Sequence, residues 1–191
     1  MAETTKLDEF EKELAQTEPT KIDLTTMINK GDFELNYNGG LMEIIKDRKG
    51  KGMLTNQQFK LPLKIEMRAK CDGQFCLRFA KGIICFNWHH IRTSLFTRNI
   101  AGGEFEYHEN RGEVPYDEFV DVEWFIGKEV MAVKVNGEIR HIEIDGGYIK
   151  QFEETPDLAI SSEINIATGI DSYYGNIDKI LTVDLLRVTE L

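Results

Sequence analysis

The sequence predicts an all-β domain built as a two-sheet antiparallel sandwich, and three observations carry that prediction. Apolar and polar residues alternate with a period of two along most of the chain. Asn-Gly and other glycine-containing pairs separate the alternating runs at hairpin spacing. No helix-length pattern alternates with the strands, which disfavours a parallel α/β sheet.

The exception comes first. Residues Thr4 to Gln16 read as a short helix, because Leu7, Phe10 and Leu14 recur at spacings of three and four. Thr5 could cap it, with Asp8 three residues on, and Pro19 closes the segment. Such a helix is too short to stand alone and is expected to pack on the domain. Residues 1–20 are therefore a helix with its connector, and 21–191 a single sandwich.

Phe33 to Tyr37 alternates, Asn38-Gly39-Gly40 turns the chain, and Leu41 to Ile45 returns. In Phe59 to Ala69, Leu61, Leu63, Ile65, Met67 and Ala69 point one way. Lys60, Lys64, Glu66 and Arg68 point the other. Pro62 argues for a strand start or an edge there. A meander follows over Gln74 to Ala80, Ile83 to Trp88, Thr93 to Arg98 and Glu104 to His108. Lys81-Gly82 and Ala101-Gly102-Gly103 form its links. Phe119 to Ile126 is joined by Gly127-Lys128 to Glu129 to Val135, and Asn136-Gly137 leads into Glu138 to Ile144. Gly-Lys fits a type II′ turn and Asn-Gly a type I′ turn, whose central residues need φ > 0. Gln151 to Ser162 is a loop. Glu163 to Ala167 and Ile180 to Val188 close the domain, and the first and last strands are expected side by side.

Charge bounds the partners. Thirty-three acids against 23 bases give a net charge of −10, which opposes a nucleic-acid role. The basic block Lys46 to Lys51 reads as a solvated turn. No run reaches the ~20 apolar residues of a membrane span, and no signal peptide is visible, so a cytoplasmic location is expected. Cys71, Cys76 and Cys85 sit in apolar strand text and are expected as buried free thiols. No phosphate loop, nucleophile elbow or zinc spacing occurs, so no cofactor and no metal are expected. His89 and His90 are adjacent on a strand and would face opposite ways.

The apolar opening strand at Phe59 to Ala69, the IICFNW strand, the VDVEWFIGKEVMAVKVNGEIRHIEI hairpins and the closing ILTVDLLRV strand resemble the layout of the concanavalin A-like lectin and glucanase superfamily. These jelly rolls include galectins and laminin-G-like modules. The resemblance spans roughly residues 30 to 191 and implies a jelly-roll sandwich. The galectin site does not carry over. Trp88-His89-His90-Ile91-Arg92 lacks the asparagine between its His and Arg, and Trp124 is followed by Phe125, Ile126 and Gly127 instead of the Glu and Arg of the second strand. The glucanase motif of three carboxylates on one strand face is matched only in part by Glu143-Ile144-Asp145 and by Asp121-Val122-Glu123.

Two constellations could carry chemistry. Glu104 with Glu106, and Asp121 with Glu123, stand two apart on one strand face, and a glycosidase needs two carboxyls about 5 to 9.5 Å apart. The other constellation is Asn87, Trp88, His89 and Arg92, joined by Arg98, Glu106, His108, Asn110 and Arg111. It offers an aromatic plane for the C–H face of a sugar, and polar groups for its hydroxyls. A non-catalytic, lectin-like module that binds a saccharide is the leading expectation. A glycosidase of the same superfold and a protein-interaction or sensory domain are the alternatives. A protein partner or a homo-oligomer is compatible with all three.

Overall fold

The computed structural model describes residues 2–31, 33–45, 52–88, 91–144, 162–167 and 180–191. Helix α1 (Ala2–Leu14) leads into β1 (Thr20–Lys21), a 3-10 turn (Leu24–Thr26) and β2 (Ile28–Asn29). There follow β3 (Glu34–Asn38), β4 (Leu41–Ile45), β5 (Met53–Leu54), β6 (Leu63–Cys71), β7 (Phe75–Phe79) and β8 (Gly82–Phe86). The remaining strands are β9 (Leu95–Arg98), β10 (Phe105–His108), β11 (Val120–Ile126), β12 (Val130–Val135), β13 (Glu138–Ile144), β14 (Ile164–Ala167) and β15 (Ile180–Glu190).

Among the described residues these strands form two antiparallel sheets. Sheet A runs β13-β12-β11-β6-β15-β4-β3, with β1 also paired to β15, and sheet B runs β10-β9-β8-β7-β14-β5-β2. The sandwich predicted from the alternation is present. Thr20 pairs with Val188 and Lys21 with Arg187, so the first and last strands do lie side by side. Pro62 stands just before β6, and β6 is central, so the proline marks a strand start and not an edge.

The alternation places the core. Leu63, Ile65, Met67 and Ala69 of β6 meet Phe75, Leu77, Phe79, Ile84 and Phe86 of sheet B in one buried cluster with Trp124. Cys71, Cys76 and Cys85 are buried and none of them forms a disulfide, as expected.

Three local readings need correction. The helix begins at Ala2, so Thr5 lies inside it and cannot be its cap. The β7–β8 turn is Ala80-Lys81, with Ala80 at φ 52°, and Gly82 belongs to β8. Gly82 is needed there because a Cβ would stand 2.7 Å from Ile100 Cγ2. Gly127 has no positive φ, so the β11–β12 link is not type II′. Instead Gly127 N–H bonds the Val130 carbonyl around Lys128-Glu129, and a Cβ on Gly127 would sit 3.1 Å from the Phe10 ring. The turns at Gly39-Gly40 and Asn136-Gly137 have φ > 0 at both central residues, as expected from the sequence for the second. The Lys46 to Lys51 block, residues 151–161 of the predicted loop, His89, His90 and Asp145 lie outside the described residues.

The two outer faces differ. That of sheet A is covered over β11, β12 and β13 by α1, whose Leu7, Phe10 and Leu14 bury Phe125, Val130 and Ala132. Beside the helix runs a lattice of ion pairs. The outer face of sheet B has no comparable helix among the described residues.

Candidate functional site

The pairing register sets out the outer face of sheet B. One row across the sheet is Asn165, Arg78, Ile83, Arg98 and Phe105. The next row is Ala167, Cys76, Cys85, Phe96 and Tyr107. Side chains of both rows leave the same side of the sheet, because every second residue does so. Trp88 folds onto this face just past the end of β8. Its ring stacks on Phe96 at 4.6 Å and 3°, and Phe96 in turn stacks on Phe105 at 4.6 Å and meets Tyr107 edge-on at 5.2 Å.

The row has a buried end and an open end. Cys76, Ile83, Cys85, Trp88 and Phe96 form a buried cluster. Phe105 and Tyr107, on edge strand β10, are 44% and 50% exposed. Rings that wet on a β-strand cost solvation free energy, and adjacent exposed rings mark contact surfaces. Arg98 lies over Phe105, its guanidinium carbon 4.7 Å from the ring centroid, and its Nε donates to the Lys81 carbonyl at 2.8 Å. Burial lowers the pKa of Arg98, and the nearby Arg78 guanidinium lowers it further.

The predicted binding residues divide among three places. Trp88 and Arg98 are on this outer face. Asn87 is buried with φ 51° and is spent on the backbone. Its Nδ2 donates to the carbonyls of Gly73 and Val114, and its Oδ1 accepts from Val114 N–H. Arg92 lies on the following loop, paired with Glu113 at 3.1 Å and stacked over Tyr116 at 4.0 Å.

The remaining members sit at the opposite face of β10. There His108 stacks on His141 of β13 at 3.9 Å, closing the sandwich edge where the two sheets end. His108 Nε2 contacts Thr97 Oγ1 at 2.8 Å, and Glu106 lies 3.9 Å from the same nitrogen. Asn110, at φ 60°, turns the chain so that Arg111 donates to the Arg140 carbonyl. Arg140 is the extra residue of a bulge, since Val133 pairs with His141 and Lys134 with Ile139. Burial pushes the His141 pKa down to about 4, helped by His108 and Arg111. His108 is lowered by burial as well, with Glu106 and Glu143 opposing and Arg111 reinforcing the shift. A metal lies in the plane of a ligating imidazole, so two stacked rings do not chelate one.

Two of the candidate carboxylates, Asp121 and Glu123, are on the other sheet from the rings. Asp121 receives both Arg68 Nη1 bonds at 3.0 and 3.1 Å on the outer face of sheet A, and Arg68 also reaches Asp184. Glu123 lies 3.6 Å from Lys64 in the same lattice. At its centre Glu66 takes a bidentate pair of 2.8 Å bonds from Arg187. Burial pushes the Glu66 carboxyl up, but Arg187 and Lys64 outweigh it and hold the pKa below the usual value. A hollow of about 350 Å³ beside α1 is floored by Phe125, Lys64, Glu66 and Arg187, whose charges are already paired with one another or with Glu123. Glu104 is exposed just ahead of β10.

Sequence reading missed Phe96, Phe105, Tyr107, Arg78 and His141. The signal for two of them was present. In Phe105-Glu106-Tyr107-His108 two rings share one face of a strand, which ordinarily means core, and only the tertiary arrangement turns them outward.

No family model and no curated protein sequence matches the chain. Solved structures do match it in fold. A β-glucanase of Bacillus licheniformis aligns over 91% of this chain and 98% of its own, with 12% identity and a TM-score of 0.59. A structure described with endo-acting O-glycanases of the human gut microbiota aligns over 82% of each chain, at 13% identity and TM-score 0.57. An endo-β-1,3-glucanase of Pyrococcus furiosus aligns over 82% of this chain and 77% of its own, at 15% identity and TM-score 0.53. At these identities the likeness is one of fold: the chain is a concanavalin A-like jelly roll.

Proposed function

We propose that this jelly roll is a non-catalytic carbohydrate-binding module that takes its saccharide on the outer face of sheet B. The carrying observation is the pair of exposed rings, Phe105 and Tyr107, backed by Phe96 and Trp88 and flanked by Arg98. Sugars present apolar C–H faces rimmed by hydroxyls. A wet aromatic platform beside a guanidinium suits both, and ring-on-ring packing fixes the platform before a ligand arrives. Structural neighbours of the same fold are named as β-glucanases, which adds support for a saccharide without choosing between binding and hydrolysis.

The glycosidase alternative draws no equal support. Asp121 and Glu123 lie on the other sheet and are committed to Arg68 and Lys64. Glu106 leaves β10 on the side opposite Phe105 and Tyr107.

The test is an array of immobilised neutral and charged oligosaccharides probed with the labelled chain. Covering about 50 Å² of one ring at about 25 cal/mol/Å² is worth about 1.3 kcal/mol, so Tyr107→Ala should weaken every genuine signal about tenfold. An array without signals, or signals indifferent to Tyr107→Ala, contradicts the reading.

A further inference from the structure

Arg78, Ile83 and Arg98 are direct partners across β7, β8 and β9. One row of the outer face thus holds two guanidinium groups with a single isoleucine between them. Strands lie about 4.8 Å apart, so the two arginine Cα atoms stand about 10 Å apart, and both long side chains can meet above Ile83.

Neither arginine has a carboxylate partner among the described residues. Among the described residues Arg68, Arg92, Arg140 and Arg187 each lie within 4 Å of an acid. Arg111 spends a donor on the Arg140 carbonyl, at the other face of β10. Among the described residues Arg98 bonds the Lys81 carbonyl, through Nε, and the buried Nε of Arg78 finds no hydrogen-bond partner. This occurs in a chain with 33 acids and a net charge of −10, where an acid would be the ordinary neighbour of an arginine. Two like charges on one partly buried row repel each other, and an unbonded buried donor costs free energy. Both costs are relieved by an anion. Arginine's planar fork fits carboxylate and sulfate through paired bonds, and stacking on Phe105 fixes the plane of the Arg98 fork.

We infer that the saccharide is acidic, with a carboxylate or sulfate seated between Arg78 and Arg98 and an adjoining sugar ring on Phe105 and Tyr107. The inference rests on the saccharide reading above and names its ligand class.

Calorimetric titration of the full chain tests it with four probes: a trigalacturonate, its neutral methyl ester, a sulfated galacto-oligosaccharide and its desulfated form. One acidic probe should bind about tenfold tighter than its neutral counterpart, and the preference should shrink as NaCl rises. The carboxylate and sulfate arms show which anion is preferred. Arg98→Gln and Arg78→Gln should each remove most of the preference, and Arg68→Gln, on the other sheet, should leave it intact. If Arg78→Gln loses the thermal unfolding transition, Arg98→Gln, on the partly exposed side, decides alone. Equal binding of acidic and neutral probes, or a preference that survives Arg98→Gln, overturns the anion inference and leaves the saccharide reading standing. Failure of all four probes on the chain, together with an array without signals, overturns both.

Discussion

Asn87 and Trp88 are neighbours in sequence with opposite duties. Asn87 holds a left-handed backbone and ties the strand end to Gly73 and Val114 through three side-chain bonds. Asn87→Ala should cost about 2 to 4 kcal/mol, the sum of unsatisfied buried groups and backbone strain, measurable by urea denaturation. Trp88 instead lies under the ring platform. His141 makes a second prediction. The unfolded chain takes a proton on this residue near pH 6.5, whereas the folded chain resists it until about pH 4. Stability is therefore full above pH 6.5, falls as the pH drops toward 4, and is level below, with a loss of up to about 3 kcal/mol. His108 adds to the same slope, and Glu106 and Glu143 set how far it is lowered. His141→Phe should flatten the curve, and a wild-type curve already flat between pH 7 and 4 would refute this account of the stacked pair.

At the scale of elements, α1 acts as a cover. Leu7, Phe10 and Leu14 bury Phe125, Val130 and Ala132, while Glu11 bonds Lys134 and Lys6 pairs with Glu129. Leu7→Ala should cost about 2 to 4 kcal/mol, read as a lowered Tm, and should leave saccharide affinity unchanged because the helix lies on the opposite sheet. The strands and most turns were legible in the sequence, because period-two patterning and glycine at positive φ are local properties. Gly39-Gly40 and Asn136-Gly137 show it. Gly82 and Gly127 misled by one residue, since each is glycine for a tertiary reason: Ile100 crowds one and Phe10 the other. Strand β10 shows the deeper limit. Alternation tells that Phe105 and Tyr107 share a face and that Glu106 and His108 share the other. It does not tell which face meets water, so the polar members were chosen over the rings. Trp88 and Arg98 were singled out because their residue types alone suit a sugar, and the structure sets both on the outer face of sheet B. Arg78 was not, since its row is assembled from strands that only the sheet order brings together.

At the scale of the whole molecule the two outer faces differ in what covers them among the described residues. Sheet A closes its face with a helix and with paired charges, where Arg68, Lys64 and Arg187 are each neutralised by acids. Sheet B leaves Phe105 and Tyr107 in water and, among the described residues, Arg78 and Arg98 without acids. In an acidic chain of 191 residues, two neighbouring arginines without a carboxylate among the described residues stand out. The proposed saccharide site thus lies on sheet B, and sheet A is expected to be indifferent to ligand. The decisive measurement is calorimetric titration of the tightest-binding oligosaccharide into three proteins: the wild type, Phe105→Ala/Tyr107→Ala, and Asp121→Asn/Glu123→Gln. The ring variant should lose about a hundredfold in affinity at unchanged Tm while the carboxylate variant binds like wild type. Retained affinity in the ring variant, with loss in the carboxylate variant, would move the site to sheet A and contradict its place on sheet B.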